Sequence, residues 1–313
     1  MKTALAVGLV TSMVAAQISE HRIPIGNAQL YARETGRGQP IIVLHGGPDF
    51  DHRYLVPDMD RLSDSYRLVY YDQRGRGKSA AGVRPEDVTL ASEIADLDNV
   101  REYLHLDSAA VLGHSWGALL ALEYAVRHPD RVSHLILMNP APVSTADFAD
   151  FRHFYTERQG PELEQLKALR ASAGYKAGDP DAVTAYYRIH FKPALKRQED
   201  FERVIDSLRA SFTRDGILKA RAIEARLVDE TWESPGYVLL PKLAALRIPT
   251  LVIWGDSDFI PEGTAAHIAR AIPRARLVTL KDCGHFSYLE CPDAVRKAMD
   301  EFFRSAVPPK RSE

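Results

Sequence analysis

The sequence predicts an α/β protein whose sheet is mostly parallel and flanked by helices. Two observations carry that reading. Short apolar runs rich in β-branched and aromatic residues alternate with stretches of helical spacing along most of the chain. Several of the runs end in tight turns, and three of those turns bear a serine, an aspartate and a histidine. The chain has 313 residues, with 40 Lys and Arg against 42 Asp and Glu and a formal net charge of −2. That length suits one large α/β domain or two small ones. The balanced charge offers no basic stripe for nucleic acid. No apolar run is long enough to cross a bilayer.

Taken in order, His21 to Ile25 and Gln29 to Glu34 read as strands joined by the hairpin signal Gly26-Asn27. Ile41 to Leu44 and Arg67 to Tyr71 are buried strands, with helical turns between them over His52 to Leu62. Leu90, Ile94, Leu97, Val100 and Leu104 recur at helical spacing behind Thr89, which is placed to cap that helix. Ala109 to Leu112 is a strand, Ala118 to Arg127 a helix closed by Pro129, and Leu135 to Met138 a further strand. After Pro241, strands at Thr250 to Trp254 and Arg276 to Leu280 flank a helix at Thr264 to Ala271, and a last helix runs from Asp293 to Phe303.

Residues 142–241 break the alternation. They hold no clear strand and carry charged residues at helical spacing, with breaks at Gly160-Pro161, Pro180 and Gly236. This interval reads as a helical cap inserted over the C-terminal edge of the sheet, where open α/β sheets bind ligands. The core is then 17–141 with 242–313. Residues 1–16 have one lysine, an apolar stretch and the small residues Val14-Ala15-Ala16, the pattern of an export signal cut before Gln17. Without export the protein would be cytoplasmic. Cys283 and Cys291 read as buried free thiols; a disulfide is the alternative in an exported protein. Neither has zinc-ligand spacing to other Cys or His residues, and no metal or cofactor is expected.

The chemistry centres on Gly113-His114-Ser115-Trp116-Gly117. A strand before this G-x-S-x-G run and a helix after it make a nucleophile elbow, in which Ser115 is held on a sharp turn. A serine hydroxyl needs a base, and the base an orienting acid. His285, in Gly284-His285-Phe286, is the expected base, and Asp258, in Gly255-Asp256-Ser257-Asp258, the expected acid in preference to Asp256. Acyl transfer also needs donors for an oxyanion. The amide of Trp116 and that of Gly47, in His45-Gly46-Gly47-Pro48, are the candidates.

These motifs, with Tyr71-Asp72-Gln73-Arg74-Gly75-Arg76-Gly77-Lys78-Ser79, resemble the α/β-hydrolase superfamily and within it the proline iminopeptidase group. The resemblance covers about 22–141 and 242–305. It implies the α/β-hydrolase fold, the Ser-Asp-His order seen here and a cofactor-free serine hydrolase. It further implies a peptidase that takes short peptides by the N-terminus, with cap glutamates binding the free amine. Glu224, Glu230 and Glu233 are the available cap residues, and Glu230 and Glu233, beside Trp232, are taken as the candidates. Two positions depart from the group: Asp49 follows His45-Gly46-Gly47-Pro48 where Gly is usual, and His114 stands where the group often has Gly. A carboxylesterase acting on small esters is the alternative reading, and a binding protein on the same fold a more distant one. Oligomeric state is not encoded in any motif.

Overall fold

A computed structural model describes residues 18–306. The expected export signal at 1–16 lies outside the described residues. Eight strands, β1 (Ser19–Ile25), β2 (Ala28–Thr35), β3 (Gln39–Leu44), β4 (Tyr66–Tyr71), β5 (Ala109–His114), β6 (Val132–Met138), β7 (Thr250–Gly255) and β8 (Ala275–Leu280), form one sheet in the order β1-β2-β4-β3-β5-β6-β7-β8. The β1–β2 hairpin and the β2–β4 pair are antiparallel. Every other pair is parallel.

Strand alternation explains the continuous apolar runs. In β3, Ile42 and Leu44 enter the core on one face of the sheet, while Ile41 and Val43 enter the core on the other. Helices cover both faces: α1 (Leu90–Tyr103) and α2 (Trp116–Arg127) pack on the first core, and α12 (Pro292–Ala306) on the second. Thr89 caps α1 through a reciprocal pair with Ser92. Helix α2 starts two residues before its apolar periodicity suggests, because the Ser115 carbonyl already accepts the Ala118 amide at 2.9 Å. Its Leu119, Leu120 and Leu122 are fully buried, each stabilising by about 1.5–3 kcal/mol relative to exposure.

Between β6 and β7 the chain is helical: α3 (Thr145–Gln159), α4 (Leu163–Ala171), α5 (Ala173–Lys176), α6 (Pro180–His190), α7 (Phe201–Arg209), α8 (Arg214–Glu230) and the short α9 (Leu240–Leu243). Two chain segments form its neck. Thr145 N–H donates to Tyr237 O at 3.0 Å and Leu239 N–H to Val143 O at 2.9 Å, around an isolated antiparallel bridge of Ser144 with Val238. Helices α10 (Glu262–Ala271) and α11 (Ser287–Glu290) complete the C-terminal part.

The Tyr71–Ser79 segment is a brace. Arg74 makes a two-pronged pair with Asp96, and Arg76 does the same with Glu93 while also holding Gln73. Both acids sit on α1, so the loop after β4 is riveted to that helix. Glu93 and Asp96 are buried, and burial pushes both carboxyls above their ordinary range despite the guanidinium groups.

Candidate active site

The ends of β3, β5, β6, β7 and β8 converge on one edge of the sheet, and Ser115 stands at the end of β5 with φ +55° and ψ −119°. That left-handed backbone is strained for a residue with a side chain. Glycines make the turn fit. A Cβ on Gly113 would meet the Gly117 carbonyl at 2.2 Å, and one on Gly117 would meet the Leu44 carbonyl at 2.3 Å. The Ser115 amide is held by Met138 O at 3.1 Å.

His285 Nδ1 lies 2.9 Å from Asp258 Oδ1, and both residues are buried. With Nδ1–H given to the carboxylate, Nε2 is left as the basic nitrogen. Asp258 also accepts the Ile260 amide at 2.9 Å. Its second oxygen accepts Asn139 Nδ2–H at 2.8 Å, and the same nitrogen donates to Gly284 O at 3.1 Å. Ser287 Oγ–H fixes the other end of that amide at 2.6 Å. Asp256 is exposed and accepts the Cys283 amide and the Ser257 hydroxyl rather than His285. Asn139 directly follows β6. From the end of that strand its amide steadies the aspartate on the neighbouring loop, and its place directly after a strand of the sheet marks it in the sequence.

The inserted helices hold the same two loops. Arg158 of α3 donates to the backbone oxygens of Asp258, Ser257 and Pro193 at 3.0–3.2 Å, and the His285 amide donates to Ala194 O at 2.7 Å.

The glycine loop after β3 is set by His45. His45 Nδ1 lies 2.8 Å from Gly46 O, and its Nε2 accepts the Gln73 amide at 3.1 Å. Burial pushes His45 down to about 4, so the ring stays neutral. The 46–47 peptide is trans, so fixing the Gly46 carbonyl aims the Gly47 N–H the opposite way. Gly47 itself has φ +104°, and a Cβ there would strike the Asp49 amide at 2.5 Å. Trp116 is the first residue of α2, whose amide has no carbonyl one turn back.

Ser115, His285, Gly46 and Gly47 line one cavity of about 800 Å³. Its far wall comes from the inserted helices and is aromatic, with Phe151, Tyr155, Tyr186 and Phe191 among its residues. Four carboxyls line this space: Asp229 and Glu233 are exposed, while Asp49 and Glu224 are partly buried. Asp49 receives the Tyr187 hydroxyl, and Glu224 of α8 is enclosed nearby. Burial, and then the charge of Asp49, push Glu224 up to about 8; burial also raises Asp49. Arg170 and Arg221 offset part of this. The Arg221 guanidinium stacks 3.6 Å from the Tyr175 ring centroid.

Of the three cap glutamates, Glu224 and Glu233 line the cavity and Glu230 does not. On α8 the cavity stripe is Arg221, Glu224, Ala225, Val228 and Asp229, the last of them exposed. Six residues beyond Glu224, at about 100° each, Glu230 lies on the far side of the helix from that stripe. There it is exposed and accepts the Leu90 amide at the start of α1, at 2.8 Å. Glu233 follows the end of α8, lines the cavity and is exposed. Cys283 and Cys291 are free and buried. Asp51, His52 and Asp72 lie close enough to suggest a metal cluster. Their oxygens are spent, however: Asp51 on Arg53, and Asp72 on His52 and the Lys78 amide.

Residues 39–292 match the family model described as alpha/beta hydrolase fold. The chain is 28% identical over 300 residues to a proline iminopeptidase of Lactobacillus crispatus, covering 91% of this chain and 99% of that one. Among solved structures it is similar to the proline iminopeptidase of Mycobacterium smegmatis, with a TM-score of 0.68 and 22% identity over 92% of this chain and 98% of that one. It is also similar to the 2-hydroxy-6-oxo-6-phenylhexa-2,4-dienoate hydrolase of Rhodococcus sp. strain RHA1, with a TM-score of 0.70 and 22% identity over 93% and 100%. Those two likenesses establish the fold; the motif, the family match and the full-length relatives together place the chain in the α/β-hydrolase family, as a hydrolase similar to proline iminopeptidases.

Proposed function

We propose that this hydrolase works through Ser115, His285 and Asp258 by way of an acyl-enzyme, as an aminopeptidase of the proline iminopeptidase type. The observation that carries the mechanism is the buried His285–Asp258 hydrogen bond at the rim of the cavity that holds the strained Ser115. Ser115 Oγ attacks the carbonyl as its proton passes to His285 Nε2. Asp258 steadies the imidazolium, and the Gly47 and Trp116 amides receive the oxyanion. On collapse, His285 returns the proton to the leaving amine. Water then repeats the sequence to free the acyl group. Residues 142–241 act as a cap that encloses the reaction.

The peptidase reading is supported by Asp49 and Glu224, which give the cavity an acidic end suited to a substrate ammonium. The broad aromatic wall favours one second reading, a carboxylesterase for bulky apolar acyl groups. Proline p-nitroanilide and p-nitrophenyl esters separate the two. Turnover of the anilide with a lower KM than a des-amino analogue is expected; ester turnover with no anilide turnover would leave the esterase.

Asn139→Ala tests the support under the acid. It frees one oxygen of Asp258 and the Gly284 carbonyl, so kcat is expected to fall about tenfold with KM little changed. An unchanged kcat would show that Ile260 and His285 hold Asp258 unaided.

A further inference from the structure

His114, the second residue of the elbow motif, is buried directly behind the nucleophile, and the hydrolytic scheme above gives it no task. Its Nε2 lies 2.9 Å from the carbonyl oxygen of His285. Its Nδ1 lies 2.7 Å from the Tyr54 hydroxyl, and that hydroxyl lies 2.6 Å from the Gly46 amide nitrogen. The direction of every bond is fixed by elimination. A carbonyl oxygen can only accept, so His114 Nε2 carries a hydrogen. Burial and the neighbouring His285 hold the ring well below the usual histidine range, so it is neutral and Nδ1 is a lone pair. Tyr54 therefore donates its hydrogen to Nδ1, and its oxygen accepts the Gly46 N–H. The result is one unbroken line, Gly46 N–H to Tyr54 O–H to His114, and His114 Nε2–H to the carbonyl of His285.

We propose that Tyr54 and His114 are positioning residues that tie the oxyanion loop to the loop of the catalytic base, so that both keep register with Ser115 between them. This rests on the Ser115 mechanism proposed above. The line starts in the glycine loop after β3, passes behind the end of β5 and ends in the loop after β8. It also occupies the Gly46 amide, which leaves Gly47 as the donor that loop can offer to an oxyanion. The fit is tight: a Cβ on Gly46 would stand 2.8 Å from the Tyr54 hydroxyl and 3.0 Å from Ser115 Cβ. Because every member is neutral and each hydrogen has one acceptor, the line holds geometry without relaying charge. A shift of either loop by about 1 Å is enough to cost about a hundredfold in rate.

The test uses the full chain, a fluorophosphonate probe to count active sites, and p-nitrophenyl acetate as substrate. Tyr54→Phe deletes one hydroxyl and keeps the ring. Turnover per titrated site is expected to fall by about ten- to a hundredfold, with KM changed by less than about threefold. His114→Gln, whose amide can donate where Nε2 does, should retain more turnover than His114→Phe; it also keeps the measurement available if Tyr54→Phe lowers the folded yield. Full turnover per titrated site in Tyr54→Phe or in both His114 variants, whatever happens to Tm, would make these residues scaffold only and overturn the proposal. A wild-type protein that resists the probe, or a Ser115→Ala variant that is labelled as fast, overturns the Ser115 mechanism and this inference with it.

Discussion

Ser115→Ala is expected to lower kcat by about a millionfold on any substrate that the protein turns over, because the proposed acyl-enzyme then has no oxygen on which to form. KM should move little, since the cavity wall and its carboxyls are untouched. Stability should hardly change, because the serine side chain caps nothing on α2. Ser115→Gly gives a sharper form of the same test. At φ +55° a glycine is relieved of a strain worth about 1 kcal/mol, so this variant should be as inactive as the alanine but somewhat more stable. Together the two variants ask whether the elbow stores strain in order to present an oxygen. A residual kcat above about a hundredth of wild type in either variant would mean that another group does the chemistry. Equal stability of all three proteins would mean that the surrounding turn, and not the side chain, sets the backbone angle.

Much of this site is legible in the chain because it lies at strand ends. A strand announces itself by a short β-branched run, and the residue that follows it falls on the edge of the sheet. Ser115, Asp258, His285 and Gly47 each follow such a strand. The cap does not yield to the same reasoning. A carboxylate on a solvated helix and one facing a cavity differ only by helical phase, and phase cannot be used until the cavity-facing stripe is known. Glu224 and Glu230 share one helix and one side-chain type, yet one faces the cavity and the other caps α1. Asp49 stood out as a departure from the glycine expected after His45-Gly46-Gly47-Pro48, but its partners, Tyr187 and Glu224, are more than a hundred positions away. The Tyr54–His114 line was hidden for the same reason, because its bonds join residues 8, 60 and 171 positions apart.

Glu224→Gln is expected to cut kcat/KM for an amine-bearing substrate such as proline p-nitroanilide by about a hundredfold or more, while p-nitrophenyl acetate is affected far less. The pH dependence follows from the burial of that carboxyl. At pH 7 Glu224, pushed up to about 8, is mostly protonated in the empty cavity. A substrate ammonium must displace that proton to form an ion pair, so affinity should improve as pH rises from 6 towards 8. It should decline again once the substrate amine itself loses its proton. KM for the ester should show no such dip, and neither should KM for the anilide in Glu224→Gln. Stability moves the other way. The folded protein holds this proton more tightly than the unfolded chain, where the carboxyl has its ordinary value of 4.5. The contribution of Glu224 to stability is therefore fully present below about pH 4.5 and is lost as pH rises through about 8. Glutamine, which never ionises, should raise Tm by a few degrees at pH 9 and leave it nearly unchanged at pH 4.5. A variant that gains Tm at high pH but binds the anilide as well as wild type would show a buried carboxyl without a substrate role. The amine would then have to be sought at Asp49, where Tyr187 already supplies one hydrogen bond.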